Sequence, residues 1–163
     1  MRILHILSQR PSQTGSGITL QALIKYADAQ GYQQAVVAAA LAVEPDLEID
    51  PIPSSHIFPL YFEEGELDFS IPGMSDVMPY KSTRFSSMSN VELKRYKNAW
   101  CHLLAEVKKA FQPDIIHSNH LWILSSMLKE IFPSTPIVTH CHATGLRQME
   151  LCPSLAQEVK DGC

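Results

Sequence analysis

The stretch that decides the fold is RILHILS at residues 2–8, followed by the polar segment QRPSQTGSG at residues 9–17. The first part is a short apolar run, which is typical of a buried parallel strand. The second part contains a proline and two glycines, as connecting loops do. A helix is predicted over residues 18–30, because apolar residues recur there every three or four positions and Gly31 suits its end. A second buried strand, rich in Val and Ala, is predicted at 34–42.

Further along the chain, strands and helices continue to alternate. Residues 89–92 read SNVE, which has the form of a capping box and predicts a helix that runs to about Phe111. Later elements are predicted as strands at 56–62 (an edge strand), 114–119 and 136–142, and as helices at 121–132 and 154–160. This alternation favours an α/β domain with a doubly wound, Rossmann-like parallel sheet. The irregular segment 71–85 is predicted to be a long loop, mobile over 72–87.

Composition narrows the class of protein. The chain has 163 residues, about one domain, and its formal net charge of −4 argues against a nucleic-acid partner. The apolar start is too short for a signal peptide, and no run approaches the roughly 18 apolar residues of a membrane span. A cytoplasmic protein with reduced thiols is therefore the expectation. None of the four cysteines forms a C-x-x-C pair, so a zinc ribbon is not indicated.

Polar residues follow three of the predicted strands. Because ligands of open α/β sheets bind beyond the carboxyl ends of the strands, these residues are the candidates for a site. They are Ser8 and Gly15-Ser16-Gly17 after the first strand, His117, Asn119 and His120 at the fourth, and His140, His142, Thr144 and Arg147 at the fifth. The topology predicts that Gly17, His142 and Arg147 surround one cleft.

The Gly15-Ser16-Gly17 segment allows three interpretations. Two glycines before a helix let backbone amides approach a phosphate or a sugar, and the helix dipole favours an anion there. A dinucleotide fingerprint is weakly supported, because Leu20 stands where its third glycine should be. A plain tight turn is the third interpretation.

The histidines also leave alternatives open. His142 is either a cleft residue or a buried core histidine, whereas the apolar neighbours of His5 and His117 favour the core for those two. Alternation along a strand would place His140 and His142 on one side and Cys141 on the other. A metal site is conceivable, but the carboxylates of a typical metallohydrolase are missing from these strand ends, so no metal ligand is predicted.

Two segments carry a resemblance to a known family. The run PDIIHSNH at 113–120, and THCHATGLRQ at 139–148 followed by LCP at 151–153, resemble motifs of the family-4-type (group 1) GT-B glycosyltransferases. The opening MRILH with its glycine-containing loop is similar too. These segments are spread along most of the predicted ordered chain, and their order and spacing make the resemblance more specific than any one of them.

The resemblance implies a function and a set of site residues. Enzymes of this family have two Rossmann-like domains and move a sugar from a nucleotide diphosphate donor to an acceptor, with retention at the anomeric carbon. By this likeness His142 lies beside the transferred sugar as the catalytic candidate. The substrate-binding candidates are Gly15, Ser16 and Gly17 near the donor phosphates, Asn119 or His120 on the acceptor side, and Arg147 toward an anionic group. Tyr80 and Arg84 are weaker acceptor-side candidates.

The resemblance also implies partners. Residues 1–163 match the amino-terminal domain, and the carboxyl-terminal, donor-binding domain with its E-x7-E motif is absent, so the chain is expected to be a fragment. The partners would be the nucleotide sugar, a sugar or lipid-linked acceptor, and that second domain, with no nucleic acid and no cofactor. Peripheral association of the full enzyme with a membrane is left open. The alternatives are a stand-alone nucleotide- or sugar-binding module and a His-ligated metallohydrolase.

Overall fold

The computed structural model describes residues 1–44 and 46–163. This part of the chain forms seven strands and five α-helices, with two short 3-10 helices at Ser54–His56 and Phe85–Ser87. In chain order they are β1 Arg2–Leu7, α1 Gly15–Ala29, β2 Gln33–Leu41, β3 Ile57–Phe62, β4 Pro72–Gly73, β5 Thr83–Arg84, α2 Asn90–Phe111, β6 Ile115–Asn119, α3 Ile123–Ile131, β7 Ile137–His140, α4 Ala143–Leu151 and α5 Pro153–Gly162.

The main sheet has five strands in the order β3-β2-β1-β6-β7, and all of its neighbours are parallel. The predicted parallel α/β sheet is confirmed, including β3 at one edge. The chain moves outward from β1 in one direction through β2 and β3, and in the other through β6 and β7. The order therefore reverses between β1 and β6, and such a switch point opens a crevice at the carboxyl ends of the strands.

The core lies on both faces of this sheet. Along β1, Leu4 and Ile6 pack into the larger cluster, with side chains from α2, α3 and α5 such as Trp100 and Leu128. Leu7 belongs to the smaller cluster on the opposite face, together with α1. This alternation, buried on both sides, explains why the first seven residues are apolar almost without interruption.

The capping box at the start of α2 is confirmed. The Ser89 hydroxyl accepts a hydrogen bond from the Glu92 amide, and the Glu92 carboxylate accepts one from the Ser89 amide. At the end of α1, Gly31 has a φ of 72°, a left-handed conformation that suits glycine. Both predicted helix boundaries rest on local chemistry that the sequence displays directly.

Two predicted boundaries that bear on the site were wrong by two or more residues, and one helix was not predicted. Helix α1 begins at Gly15, three residues before its predicted start, because the Thr14 side chain caps it by accepting from the Gly17 amide. The last strand ends at His140 and not at His142. Residues Ala143–Leu151, for which no element was predicted, form α4, so His142 is the residue before a helix rather than the end of a strand.

The long segment after β3 is held to the rest of the protein at both ends, which was not predicted. Its two ends pair as the short parallel strands β4 and β5, and Ile71, Met74 and Phe85 are buried in the core. The residues between Met74 and Thr83 are half-buried to exposed. A loop with both ends fixed and a more exposed centre can reach over the carboxyl edge of the sheet.

Within the described residues, no helix has the length and apolar character needed to cross a membrane.

Candidate functional site

A cleft of about 350 Å³ opens at the carboxyl edge of the sheet, next to the switch point. It lies between the start of α1, the segments that follow β6 and β7, and the loop between β4 and β5. Its lining residues are Gln9, Gln13, Thr14, Gly15, Ser16, Met74, Ser75, Met78, Pro79, His120, His142 and Thr144. Of the predicted site residues, Gly15, Ser16, His120, His142 and Thr144 border this cleft.

The first turn of α1 forms one wall. Gly15 and Ser16 line the cleft, but the neighbouring Gly17 does not. Gly17 is buried against the preceding loop, where a Cβ atom would lie 2.6 Å from the carbonyl carbon of Pro11. The glycine is therefore required by the close approach of two backbone segments, which is a structural role distinct from the predicted contact with a ligand.

His142 stands at the opposite wall, at the N-cap of α4. Its Nε2 atom lies 3.1 Å from the Oδ1 atom of Asn119, and its ring stacks on that of His140 with centroids 4.3 Å apart. Burial, and then the neighbouring His140, lower the pKa of His142. Asn119 itself is buried and does not line the cleft, so it supports His142 rather than facing a ligand directly.

His120 follows β6 in a left-handed backbone conformation, with φ of 68°. Only 3% of the residue is exposed, and its Nδ1 atom lies 3.0 Å from the Thr144 hydroxyl. Its Nε2 atom is buried and has no hydrogen-bond partner among the described residues. Burial lowers the pKa of His120 to about 3, with smaller contributions from His142 and His140. The ring is therefore neutral near pH 7.

Two further histidines lie within the sheet. His5 is 3% exposed, which confirms its prediction as a core residue, and its Nε2 atom lies 3.0 Å from the Gln34 amide oxygen. Its Nδ1 atom lies 3.0 Å from Nδ1 of His117, which is half-buried on the neighbouring strand. Burial lowers the pKa of both rings to about 4.

None of the lining side chains among the described residues carries a formal charge at neutral pH. Arg147 is exposed on α4 and does not line the cleft, and neither do Arg84 and Tyr80. Arg10 follows Gln9, which lines the cleft, but the Arg10 guanidinium is paired with the carboxylate of Glu44 and lies over the Tyr80 ring. Gly17, His142 and Arg147 were predicted to surround one cleft, but only His142 lines it.

Sequence reasoning missed most of the remaining lining. Thr14 carried a recognisable signal, since a threonine before a helix commonly caps its first turn. Met74, Ser75, Met78 and Pro79 carried none, because their place over the cleft depends on how the long loop folds back. The described residues contain no group of three or more His, Cys, Asp or Glu side chains that could hold a metal ion.

Comparison with solved structures identifies the fold. Sucrose-phosphate synthase from Thermosynechococcus elongatus superimposes with a TM-score of 0.59 at 15% identity, over 96% of this chain and 37% of that one. The chain has the architecture of a Rossmann-like half of a GT-B fold. At this identity the likeness concerns the fold alone.

Two other structures are more distant. UDP-GlcNAc 2-epimerase from Neisseria meningitidis gives a TM-score of 0.47 at 14% identity, over 85% of this chain and 31% of that one. The Streptomyces sp. SF2575 glycosyltransferase SsfS6 gives 0.42 at 13%, over 97% and 46%. The chain spans less than half the length of each of these three proteins. No protein-family model and no curated protein matches the sequence.

Proposed function

We propose that this chain is the amino-terminal, acceptor-side half of a retaining glycosyltransferase, which moves a sugar from a nucleotide diphosphate sugar to an acceptor hydroxyl. His120 borders the cleft, and the observation that carries the proposal is its buried Nε2 atom, which has no hydrogen-bond partner among the described residues. An unsatisfied buried polar group costs about 1–3 kcal/mol. A hydroxyl or other polar atom of a bound ligand would remove that cost.

The rest of the lining suits a sugar. Amide and hydroxyl side chains, such as Gln9, Ser16 and Thr144, can exchange hydrogen bonds with sugar hydroxyls. Met74, Met78 and Pro79 offer an apolar surface to the C–H face of a pyranose ring. A few placed polar groups on a largely apolar wall are typical of small-molecule sites.

The same lining supports an acceptor-side role for this domain. Sugar transfer builds negative charge on the leaving diphosphate, and preorganised cations or amides stabilise it best. Because the lining residues of this cleft are uncharged, the amides at the start of α1 can contribute only part of that stabilisation. The cations would come from a second, donor-binding domain. This half positions the acceptor hydroxyl, and a lipid-linked acceptor would bring the enzyme to a membrane surface.

The test is turnover by the enzyme that includes the second domain. His142→Ala should lower kcat/KM by roughly 10–1,000-fold, or ~1.4–4 kcal/mol, because the residue touches the reacting sugar. The exposed His102→Ala is the matched control and should have no effect. Release of UDP or TDP from a panel of nucleotide sugars measures both variants.

By this proposal, residues 1–163 alone should not transfer sugar, because the uncharged lining of the cleft would offer no cation to the departing diphosphate. Turnover by this chain above that of its His142→Ala variant would contradict the proposal. Tight binding of a nucleotide or a sugar by the chain alone, with no gain from a second domain, would favour the stand-alone binding module.

A further inference from the structure

Asn119 joins three strands of the sheet at the switch point. It is the last residue of β6, it is 2% exposed, and it lies opposite His140 of β7 in the strand register. Its Nδ2 atom donates a hydrogen bond to the carbonyl oxygen of Ile6 on β1, at 3.1 Å. Its Oδ1 atom is 3.1 Å from Nε2 of His142. Both polar atoms of the Asn119 side chain therefore have hydrogen-bond partners within the protein.

These partners fix the position of a proton. The carbonyl of Ile6 can only accept, so the amide of Asn119 must turn its NH2 group toward it. The amide oxygen then faces His142, and an amide oxygen can only accept. The His142 ring must therefore carry its proton on Nε2, which leaves a lone pair on Nδ1 while the ring is neutral.

We infer that Asn119 is a positioning residue, which holds His142 as the Nε2–H tautomer and so presents Nδ1 as the hydrogen-bond acceptor for a ligand hydroxyl. Nδ1 of His142 has no protein partner among residues 1–44 and 46–163. The stacked ring of His140 restrains the ring plane, with an interplanar angle of 19°. The use of Nδ1 by an acceptor hydroxyl rests on the proposed function, whereas the tautomer does not.

The inference assigns Asn119 a different role from direct substrate binding. An aspartate of nearly the same shape could still accept from His142, but its second oxygen would face the Ile6 carbonyl oxygen. Its negative charge would also favour the protonated ring. A leucine of similar size would remove the oxygen that accepts from His142, so neither tautomer of the His142 ring would be favoured. These two substitutions therefore separate hydrogen bonding from packing.

The decisive measurement is the 15N spectrum of the histidine rings in the wild-type protein, correlated through two bonds to the ring protons. The inference predicts that Nε2 of His142 is the protonated nitrogen and Nδ1 the unprotonated one. In Asn119→Asp, the pKa of His142 followed by the same signals should rise by about 1–3 units. In Asn119→Leu, the two tautomers should mix. The ring of the exposed His102 is the internal reference and should not respond.

Three results would overturn the inference: an Nδ1–H tautomer of His142 in the wild type, an unchanged His142 pKa in a folded Asn119→Asp protein, or an unchanged tautomer in a folded Asn119→Leu protein. The wild-type spectrum decides the main point even if a variant fails to fold. A different result would contradict the proposed function. An Nε2–H tautomer whose signals never respond to a sugar or a nucleotide would contradict the function and leave the role of Asn119 intact.

Discussion

At the scale of single residues, two glycines in the same helical turn differ in whether a side chain would fit there. A Cβ atom on Gly17 would collide with the backbone of Pro11, whereas a Cβ atom on Gly15 would meet nothing within 4 Å. Backbone atoms cannot move aside as the end of a flexible side chain can. The two positions therefore form a matched pair for a single test.

Gly17→Ala should destabilise the protein by about 1–3 kcal/mol, because the loop before α1 must shift to relieve the overlap. Gly15→Ala should be neutral or stabilising by up to about 1 kcal/mol, since alanine restricts the unfolded chain and favours the helix. Urea unfolding of both variants beside the wild type measures the difference. Equal stability of the two variants would show that the contact with Pro11 is not restrictive.

Residue roles were only partly predictable from the sequence. His5 could be assigned to the core because its neighbours are apolar, and its burial follows from that. Asn119 resembled a ligand-binding residue because it ends a strand among other polar residues, but its partners come from β1 and from the residue before α4. Contacts between residues more than twenty positions apart depend on the sheet order, which local patterns do not specify.

At the scale of elements, the sequence predicts best where one local signal suffices. The capping box of α2 is such a case, since Ser89 and Glu92 interact within a single turn. Helix α4 is the opposite case, because its sequence ATGLRQMEL contains a threonine and a glycine near its start. Its packing stabilises it: Gly145 lies so close to Leu121 that a Cβ would be 2.7 Å from the Leu121 carbonyl oxygen.

The loop between β4 and β5 carries a prediction about mobility. We expect fast amide exchange at residues 76–82, which are half-buried to exposed, and slower exchange at Thr83, whose amide donates to the Ile71 carbonyl. Because Met78 and Pro79 border the cleft, a bound sugar should slow exchange in this segment. Hydrogen exchange followed by mass spectrometry, with and without ligand, measures both effects. Protection of 76–82 equal to that of β6 in the free protein would contradict the expectation.

At the scale of the whole molecule, buried neutral histidines link stability to pH. The pKa values of His5 and His117 fall to about 4 and that of His120 to about 3, chiefly through burial. In the unfolded chain they titrate near 6.5. The folded protein thus binds fewer protons than the unfolded one below pH 6.5. Its stability is fully present above that pH and is lost as the pH falls toward 4.

For His5 alone the loss should be about 2 kcal/mol between pH 7 and pH 5, a sizeable part of the stability of a small domain. Urea unfolding at a series of pH values measures it. His5→Leu should reduce by about one the number of protons that the protein takes up on unfolding near pH 5, which is read from the slope of stability against pH. Replacing the exposed His102 with Gln should not change that slope. A wild-type protein that is equally stable at pH 7 and pH 5 would show that these rings are not held neutral by the fold.

The proposed function requires that the cleft beside the switch point binds a sugar. The most direct measurement is the response of the seven histidine ring signals to added UDP-glucose, TDP and free hexoses. Weak binding is sufficient, because ring signals in fast exchange shift in proportion to occupancy. We expect shifts at His120 and His142, which border the cleft, and none at His56, which packs on Phe111 at the opposite edge of the sheet. Shifts at His56 or His102 with His120 and His142 unchanged, or no response from any ring, would contradict it.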